Sequence, residues 1–124
     1  MVSTVNDRVR VLIVDDSEDQ LNLLRRHFER AGCDVVSADT AETALAAYED
    51  AILDLAVIDL LLPGMSGWEL TERLRSTHPD CAVAISSVLD RDRYPVTRGA
   101  LPKPVTRHDV REVLIRCVPR WVAP

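Results

Sequence analysis

Residues 11–16 read Val-Leu-Ile-Val-Asp-Asp, a run of four apolar residues that leads directly into two carboxylates. Asp59 and Ser86 follow comparable apolar runs, and Lys103 follows a shorter one. Short apolar runs bounded by polar residues are typical of parallel strands that are buried on both faces. Because the carboxyl ends of such strands form the functional edge of an open sheet, we expect these polar side chains to converge on one small site.

Apolar runs alternate with amphipathic helical patterns along the chain, which predicts a parallel sheet with right-handed crossovers. Five strands in a chain of 124 residues favour a flavodoxin-like, doubly wound α/β domain with strand order 2-1-3-4-5. Strands 1 and 3 are neighbours in that order, so Asp15, Asp16 and Asp59 should lie together. No linker or repeat interrupts the pattern, and we expect one domain over residues 1–124 with its core at about 10–118.

The sequence also predicts where the strands and helices begin. The strands are predicted at about residues 9–15, 34–38, 55–59, 82–86 and 98–101. The helices are predicted to start after capping residues, namely Ser17 with Gln20, Asp39 or Thr40, Ser66 with Glu69, and Thr106. The first and third of these spacings match a capping box, in which both side chains bond to the backbone of the first turn.

One crossover differs from the others. Only eleven residues separate Ser86 from Arg98, which is near the minimum for connecting two parallel strands. The segment contains Asp90-Arg91-Asp92-Arg93 and Pro95 and has little helical periodicity. We therefore predict a single turn or an irregular, mobile loop in place of a full fourth helix.

Composition excludes several classes of protein. The net charge of −5 disfavours direct binding to a nucleic-acid backbone. No apolar stretch approaches the roughly 20 residues that a membrane span needs, and residues 1–10 lack the apolar core of a signal sequence. Cys33, Cys81 and Cys117 match neither a disulfide framework nor a zinc pattern, which favours free, buried thiols in a reducing cytoplasm.

Carboxylates packed this closely require either that one of them is protonated or that a cation lies among them. At about 4 Å and an effective dielectric near 20, each pair of carboxylates repels by roughly 4 kcal/mol. Mg²⁺ would relieve this repulsion, because it takes hard oxygen ligands and completes its shell with phosphate. A carboxylate can also become an aspartyl phosphate, whose oxygens would be neutralised by Mg²⁺, the Lys103 ammonium and the Ser86 hydroxyl. A single Asp at a strand end is most often a cap; the joint pattern favours a site.

These residues together resemble the receiver domain of two-component response regulators. The resemblance covers about residues 10–118. It rests on residues 11–16, on Ala-Val-Ile-Asp-Leu-Leu-Leu-Pro-Gly-Met-Ser-Gly at 56–67, on Ala-Ile-Ser at 84–86, and on Lys103-Pro104. It implies a phosphoprotein that accepts a phosphoryl group from a histidine kinase or phosphotransfer protein and relays the signal to an unknown downstream protein. It implies no enzymatic activity beyond self-phosphorylation from small donors and self-dephosphorylation.

The resemblance also assigns roles to individual residues. Asp59 would be the phosphoacceptor. Asp16 and Asp59 would ligate Mg²⁺ directly with the Leu61 backbone carbonyl, and Asp15 would act mainly through water.

The remaining roles concern the phosphoryl group. Ser86 stands at the switch hydroxyl position, with Ser87 as a further candidate, and Lys103 would pair with the phosphoryl group. We expect the Lys103 ammonium to be exposed at the functional edge of the sheet. The Lys103-Pro104 bond is often cis in this family.

The chain departs from the family pattern near strand 5. Receiver domains usually carry an aromatic residue three positions before the lysine, where this chain has Ala100. The acceptor site is therefore expected to be intact and the output switch atypical. This leaves open a phosphorylation-independent interaction domain, or pseudo-receiver. An aspartate-nucleophile phosphohydrolase fits less well, because that class needs Asp-x-Asp after strand 1 and position 17 is Ser.

Overall fold

A computed structural model describes residues 8–124. Its five strands are β1 Arg10–Val14, β2 Asp34–Ala38, β3 Leu55–Ile58, β4 Ala82–Ile85 and β5 Gly99–Ala100. Its four helices are α1 Glu18–Arg30, α2 Ala41–Ala47, α3 Gly67–Thr77 and α4 Arg107–Cys117. The strands form one parallel sheet in the order β2-β1-β3-β4-β5, which confirms the predicted flavodoxin-like topology. The single-domain boundary at 1–124 stays a prediction, and residues 1–7 lie outside the described part.

The central strands are buried on both faces. In β1, Val11 and Ile13 belong to an apolar cluster with α1 and α4, whereas Leu12 and Val14 belong to a second cluster with α2 and α3. Successive side chains of a strand point to opposite faces, so a continuous apolar run fills both clusters at once. Burial on both faces fixes the position of each strand along its axis relative to its neighbours. It therefore also fixes where the polar residue at the end of the strand lies.

The helix caps differ in detail from the expected ones. Thr40, rather than Asp39, caps α2 by accepting a hydrogen bond from the Thr43 backbone N–H at 3.0 Å. Ser17 caps α1, but the reciprocal bond from its backbone N–H to Gln20 is absent because Asp15 accepts that N–H at 2.9 Å. The predicted capping box is therefore only half formed.

The cap of α3 is also half formed. Ser66 accepts from the Glu69 backbone N–H at 3.2 Å, while the Glu69 carboxylate pairs with Arg73 instead. Thr106 and Asp109 form a complete box at the start of α4.

The crossover between β4 and β5 contains a single 3₁₀ turn at Arg91–Arg93 and no α-helix. This confirms the prediction of an irregular connection with one turn; its mobility stays a prediction. Strand β5 has only two residues, which is shorter than the predicted 98–101.

The three cysteines are free thiols, as expected; Cys33 and Cys117 are buried, whereas Cys81 is only partly buried. Burial raises the pKa of Cys33 to about 11 and that of Cys81 to about 12. Within residues 8–124, no helix is long and apolar enough to cross a membrane.

Candidate functional site

The sheet places the predicted polar residues at one edge. Each of Asp15, Asp59 and Ser86 continues the ladder for one residue beyond its strand: Asp15 N–H donates to Ala38, Asp59 N–H to Val14, and Ser86 N–H to Ile58. The main chain of each residue is therefore held by a neighbouring strand. This confirms that Asp15 and Asp59 lie together at the β1–β3 junction.

Lys103 lies between two of these carboxylates. Its Nζ donates to Asp15 Oδ2 at 2.8 Å and to Asp59 Oδ2 at 3.1 Å. The Lys103 side chain is only 11% exposed, and those of Asp15 and Asp59 are 2% and 8% exposed. The expectation that the ammonium is exposed at the functional edge is wrong, because two buried carboxylates hold it inward.

The charges perturb one another's titration. Burial raises the pKa of Asp59, and it outweighs the opposing hydrogen bond from the Leu61 N–H and the Lys103 charge. Burial alone would lower the pKa of Lys103, but the hydrogen bond and charge of Asp15, together with Asp59, raise it. The ammonium therefore stays charged, while ionising Asp59 works against its own desolvation.

Asp16 completes a cluster of three carboxylates that could hold a metal ion. It is exposed, and carboxylate oxygens of Asp15, Asp16 and Asp59 all lie within 4.8 Å of one another. Oxygens about 2.1 Å from a Mg²⁺ ion are at most about 4.2 Å apart, so a small closure would let the cluster hold one ion, either directly or through a bound water. Three carboxylates and one ammonium leave two net negative charges, which a divalent cation would neutralise. The donor set therefore fits Mg²⁺.

Ser86 has a buried hydroxyl with nothing to bind. The residue is 1% exposed, and its Oγ finds no hydrogen-bond partner among the described residues. A buried polar atom left unpaired costs about 1–3 kcal/mol, so this hydroxyl is suited to a ligand atom. The Ser87 hydroxyl, by contrast, accepts from the Leu89 N–H at 3.2 Å within the crossover.

Sequence reasoning missed Gly67, which lies at the start of α3. A Cβ at this position would be 2.1 Å from the Asp59 carbonyl oxygen and 2.6 Å from Leu60 Cα. The first turn of α3 therefore packs directly on the backbone that carries Asp59, and only glycine leaves room. Gly67 appeared in the sequence pattern only as the last residue of the motif at 56–67.

Two other contacts were missed because they join distant segments. The Glu42 carboxylate accepts from the Met65 N–H at 3.1 Å and so ties the β3–α3 loop to α2. The Tyr94 hydroxyl contacts both backbone groups of Ser87. The Lys103-Pro104 peptide bond is cis, as the resemblance implied.

Comparisons with known proteins agree with this geometry. The model of the response regulator receiver domain matches residues 11–114. The chain is 41% identical over 68 residues to the virulence sensor protein BvgS of Bordetella pertussis, covering 55% of this chain and 6% of BvgS. It is 38% identical over 117 residues to the uncharacterized transcriptional regulatory protein YrkP of Bacillus subtilis, covering 90% of this chain and 50% of YrkP. The chain thus spans half or less of these curated relatives.

A solved structure has the same fold. The response regulator protein TrrA of Thermotoga maritima, in complex with Mg(2+)-BeF, superposes with a TM-score of 0.80 at 22% identity, covering 89% of this chain and 99% of that one. The family match runs from β1 into α4 and contains Asp15, Asp59, Ser86 and Lys103. This chain therefore belongs to the response regulator receiver domain family.

Proposed function

We propose that this chain is a phosphoacceptor module of two-component signalling and that Asp59 receives the phosphoryl group. The arrangement around Asp59 supports this. Its buried carboxylate accepts from the Lys103 ammonium at 3.1 Å, and it lies within reach of the Asp15 and Asp16 carboxylates. The unpaired Ser86 hydroxyl ends the neighbouring strand β4. Few other roles use an acid, a cation site and an orphaned hydroxyl together.

In the proposed transfer, one Asp59 carboxylate oxygen bonds to phosphorus as the bond from phosphorus to the donor's imidazole nitrogen breaks. The electron pair of that bond stays on the nitrogen. The Lys103 ammonium and the Ser86 hydroxyl would donate to different phosphoryl oxygens. Asp16, Asp59 and the Leu61 carbonyl would hold Mg²⁺, with Asp15 acting mainly through water. Bound Mg²⁺ would neutralise part of the phosphoryl charge.

The proposed partners follow from this chemistry. Receiver domains are phosphorylated by histidine kinases, so the donor would be such a kinase or a phosphotransfer protein. The phosphorylated chain would act by binding a downstream protein rather than by turning over a substrate. Its net charge of −5 argues against direct contact with nucleic acid.

A phosphorylation-independent interaction domain is the second candidate. It is favoured by Ala100, which leaves β5 without a side-chain ring, and by the irregular crossover. An aspartate-nucleophile phosphohydrolase is disfavoured, because Ser17 replaces the second acid and serves as the cap of α1.

Intact-mass spectrometry after incubation with acetyl phosphate and Mg²⁺ separates these candidates. We expect one added phosphoryl group on the wild type and on Asp39→Asn, which changes an exposed aspartate outside the site. Asp59→Asn should gain none. An unmodified wild type would favour the interaction domain, and a phosphoryl group that persists on Asp59→Asn would refute the assignment of Asp59.

A further inference from the structure

Tyr94 contacts the main chain of the switch segment through its hydroxyl. Its Oη donates to the Ser87 carbonyl at 2.8 Å and accepts from the Ser87 N–H at 3.2 Å. Ser87 is 1% exposed and directly follows Ser86. One hydroxyl thus satisfies both backbone groups of the residue that directly follows Ser86.

The same carbonyl connects to the lysine of the site. The Lys103 backbone N–H also donates to the Ser87 carbonyl, at 3.3 Å. Tyr94 therefore bonds to the Ser87–Val88 peptide, one of the points at which the segments carrying Ser86 and Lys103 meet. A shift of this peptide would move both residues relative to Asp59.

Tyr94 is itself held by α3 rather than by a helix of its own. Its half-buried ring packs with the apolar cluster of α2 and α3, which includes Leu89 and Trp68. Trp68 Nε1 donates to the Arg93 carbonyl, adjacent to Tyr94, at 3.2 Å. The Arg75 guanidinium donates to the Val96 carbonyl further along. The crossover is irregular, yet side chains of α3 donate hydrogen bonds to its backbone on both sides of Tyr94.

Strand β5 has no aromatic side chain that could contact the segment after β4, whereas the crossover has Tyr94. Ala100 has no ring, and a cavity of about 480 Å³ lies beside it, lined by Arg91, Gly99 and Val113 among others. Tyr94 and Tyr48 are the only tyrosines of the chain, and the Tyr48 hydroxyl donates to Ser37, away from the site.

We propose that Tyr94 is a positioning residue of the phosphoacceptor site. Its hydroxyl holds the main chain at Ser87 so that the Ser86 hydroxyl can donate to a phosphoryl oxygen. A movement of Ser87 would change the environment of Trp68, because Trp68 is hydrogen-bonded to Arg93, next to Tyr94. This inference rests on the proposed function, because it concerns how the phosphoryl group on Asp59 is bound and communicated.

The first test is a double-mutant cycle on the phosphorylation rate with acetyl phosphate and Mg²⁺. Tyr94→Phe keeps the ring and removes the hydroxyl, so we expect a roughly three- to tenfold slower reaction, the effect of about one hydrogen bond. In a Ser86→Ala background the same change should have a clearly smaller effect, because part of the action of Tyr94 passes through Ser86. A merely structural role would give additive losses.

Tyr48→Phe is the matched control, since it removes one hydroxyl-to-carbonyl bond of 3.0 Å elsewhere. Its rate should equal that of the wild type. Equal rates for Tyr94→Phe and Tyr48→Phe, or additive losses in the cycle, would overturn the role of Tyr94. A wild type that is never phosphorylated would instead refute the proposed function, so the two failures are distinguishable.

The second test follows Trp68 emission. The chain has two tryptophans, so Trp121→Phe leaves Trp68 as the single reporter. Adding beryllofluoride with Mg²⁺ should change its emission when Tyr94 is present and should change it much less in Tyr94→Phe. An equal change in both chains would show that the signal reaches Trp68 by another route and would overturn the coupling.

Discussion

The Lys103 ammonium lies 2.8 Å from the Asp15 carboxylate, although 88 residues separate the two along the chain. Asp59 shares the same ammonium at 3.1 Å. Lys103 thus offsets part of the charge of two buried acids in addition to its proposed contact with a phosphoryl group. This double role determines how the site responds to mutation, metal and pH.

Lys103→Ala should destabilise the fold, because it leaves Asp15 and Asp59 buried without their cation. Removing one partner of a buried ion pair costs about 3 kcal/mol at the lower end of the usual range. Urea unfolding in the presence of a chelator should reveal this loss, and millimolar Mg²⁺ should restore part of it. Arg116→Ala, which removes an exposed charge from α4, should cost little. Equal stabilities of the two variants would mean that the ammonium is not needed to compensate the acids.

Mg²⁺ should stabilise the wild type by linkage, with a gain of about 1.4 kcal/mol at a concentration ten times the Kd. Asp16 is exposed and makes no hydrogen bond within residues 8–124. Asp16→Ala removes a like charge from beside Asp15 and Asp59, so it should not lower metal-free stability, and it should abolish most of the gain from Mg²⁺. Asp19→Ala, at an exposed acid in the first turn of α1, is the control. Thermal melts across a Mg²⁺ titration test the prediction, and a full Mg²⁺ response in Asp16→Ala would contradict it.

Gly67→Ala should both destabilise the protein and impair phosphorylation. The added Cβ meets the backbone of Asp59 at 2.1 Å, and overpacking against an immovable neighbour costs about 3 kcal/mol at the upper end of its usual range. Gly99→Ala is a useful comparison, since its Cβ would meet the Cys117 Sγ at 2.9 Å, a side chain that can move. We expect the second variant to retain normal phosphorylation. Normal phosphorylation of Gly67→Ala would mean that α3 does not position Asp59.

Much of this site could be predicted because main-chain position follows from periodicity. The end of a buried parallel strand is visible in the sequence as a change from apolar to polar residues. Asp15, Asp59 and Ser86 can therefore be assigned to one edge of the sheet without any knowledge of contacts. The burial of Lys103 was missed for the opposite reason. Where its side chain points depends on carboxylates 44 and 88 residues away, and a local pattern cannot supply that information.

The same distinction explains the smaller errors. A spacing of three residues predicts a capping box at Ser17, but Asp15 competes for the same backbone N–H. The role of Tyr94 has no periodic signal at all, because it lies in a turn whose shape depends on α3. Both the competition for a backbone donor and the contacts within an irregular segment depend on the folded molecule. A local sequence pattern therefore cannot predict either of them.

The final prediction concerns pH. Because burial raises the pKa of Asp59 above its unfolded value of about 3.9, the folded state binds the proton of this carboxyl more tightly than the unfolded state does. The contribution of Asp59 to stability therefore falls as pH rises from about 4 through its folded pKa. Asp59→Asn should remove that penalty, so the variant should be more stable than the wild type at neutral pH. This advantage should vanish on acidification.

Asp54 provides a control of opposite sign. Burial would raise its pKa, but hydrogen bonds from Arg120 and the Arg10 N–H lower it. Its stabilising effect is present above the unfolded pKa and is lost as pH falls through the folded one, so Asp54→Asn should destabilise at neutral pH. Urea unfolding of both variants and the wild type between about pH 4 and pH 7 measures the two trends. If Asp59→Asn loses stability at neutral pH as Asp54→Asn does, the prediction is wrong. In that case the pairing with Lys103 outweighs the desolvation of Asp59, and the fold stabilises the ionised carboxylate.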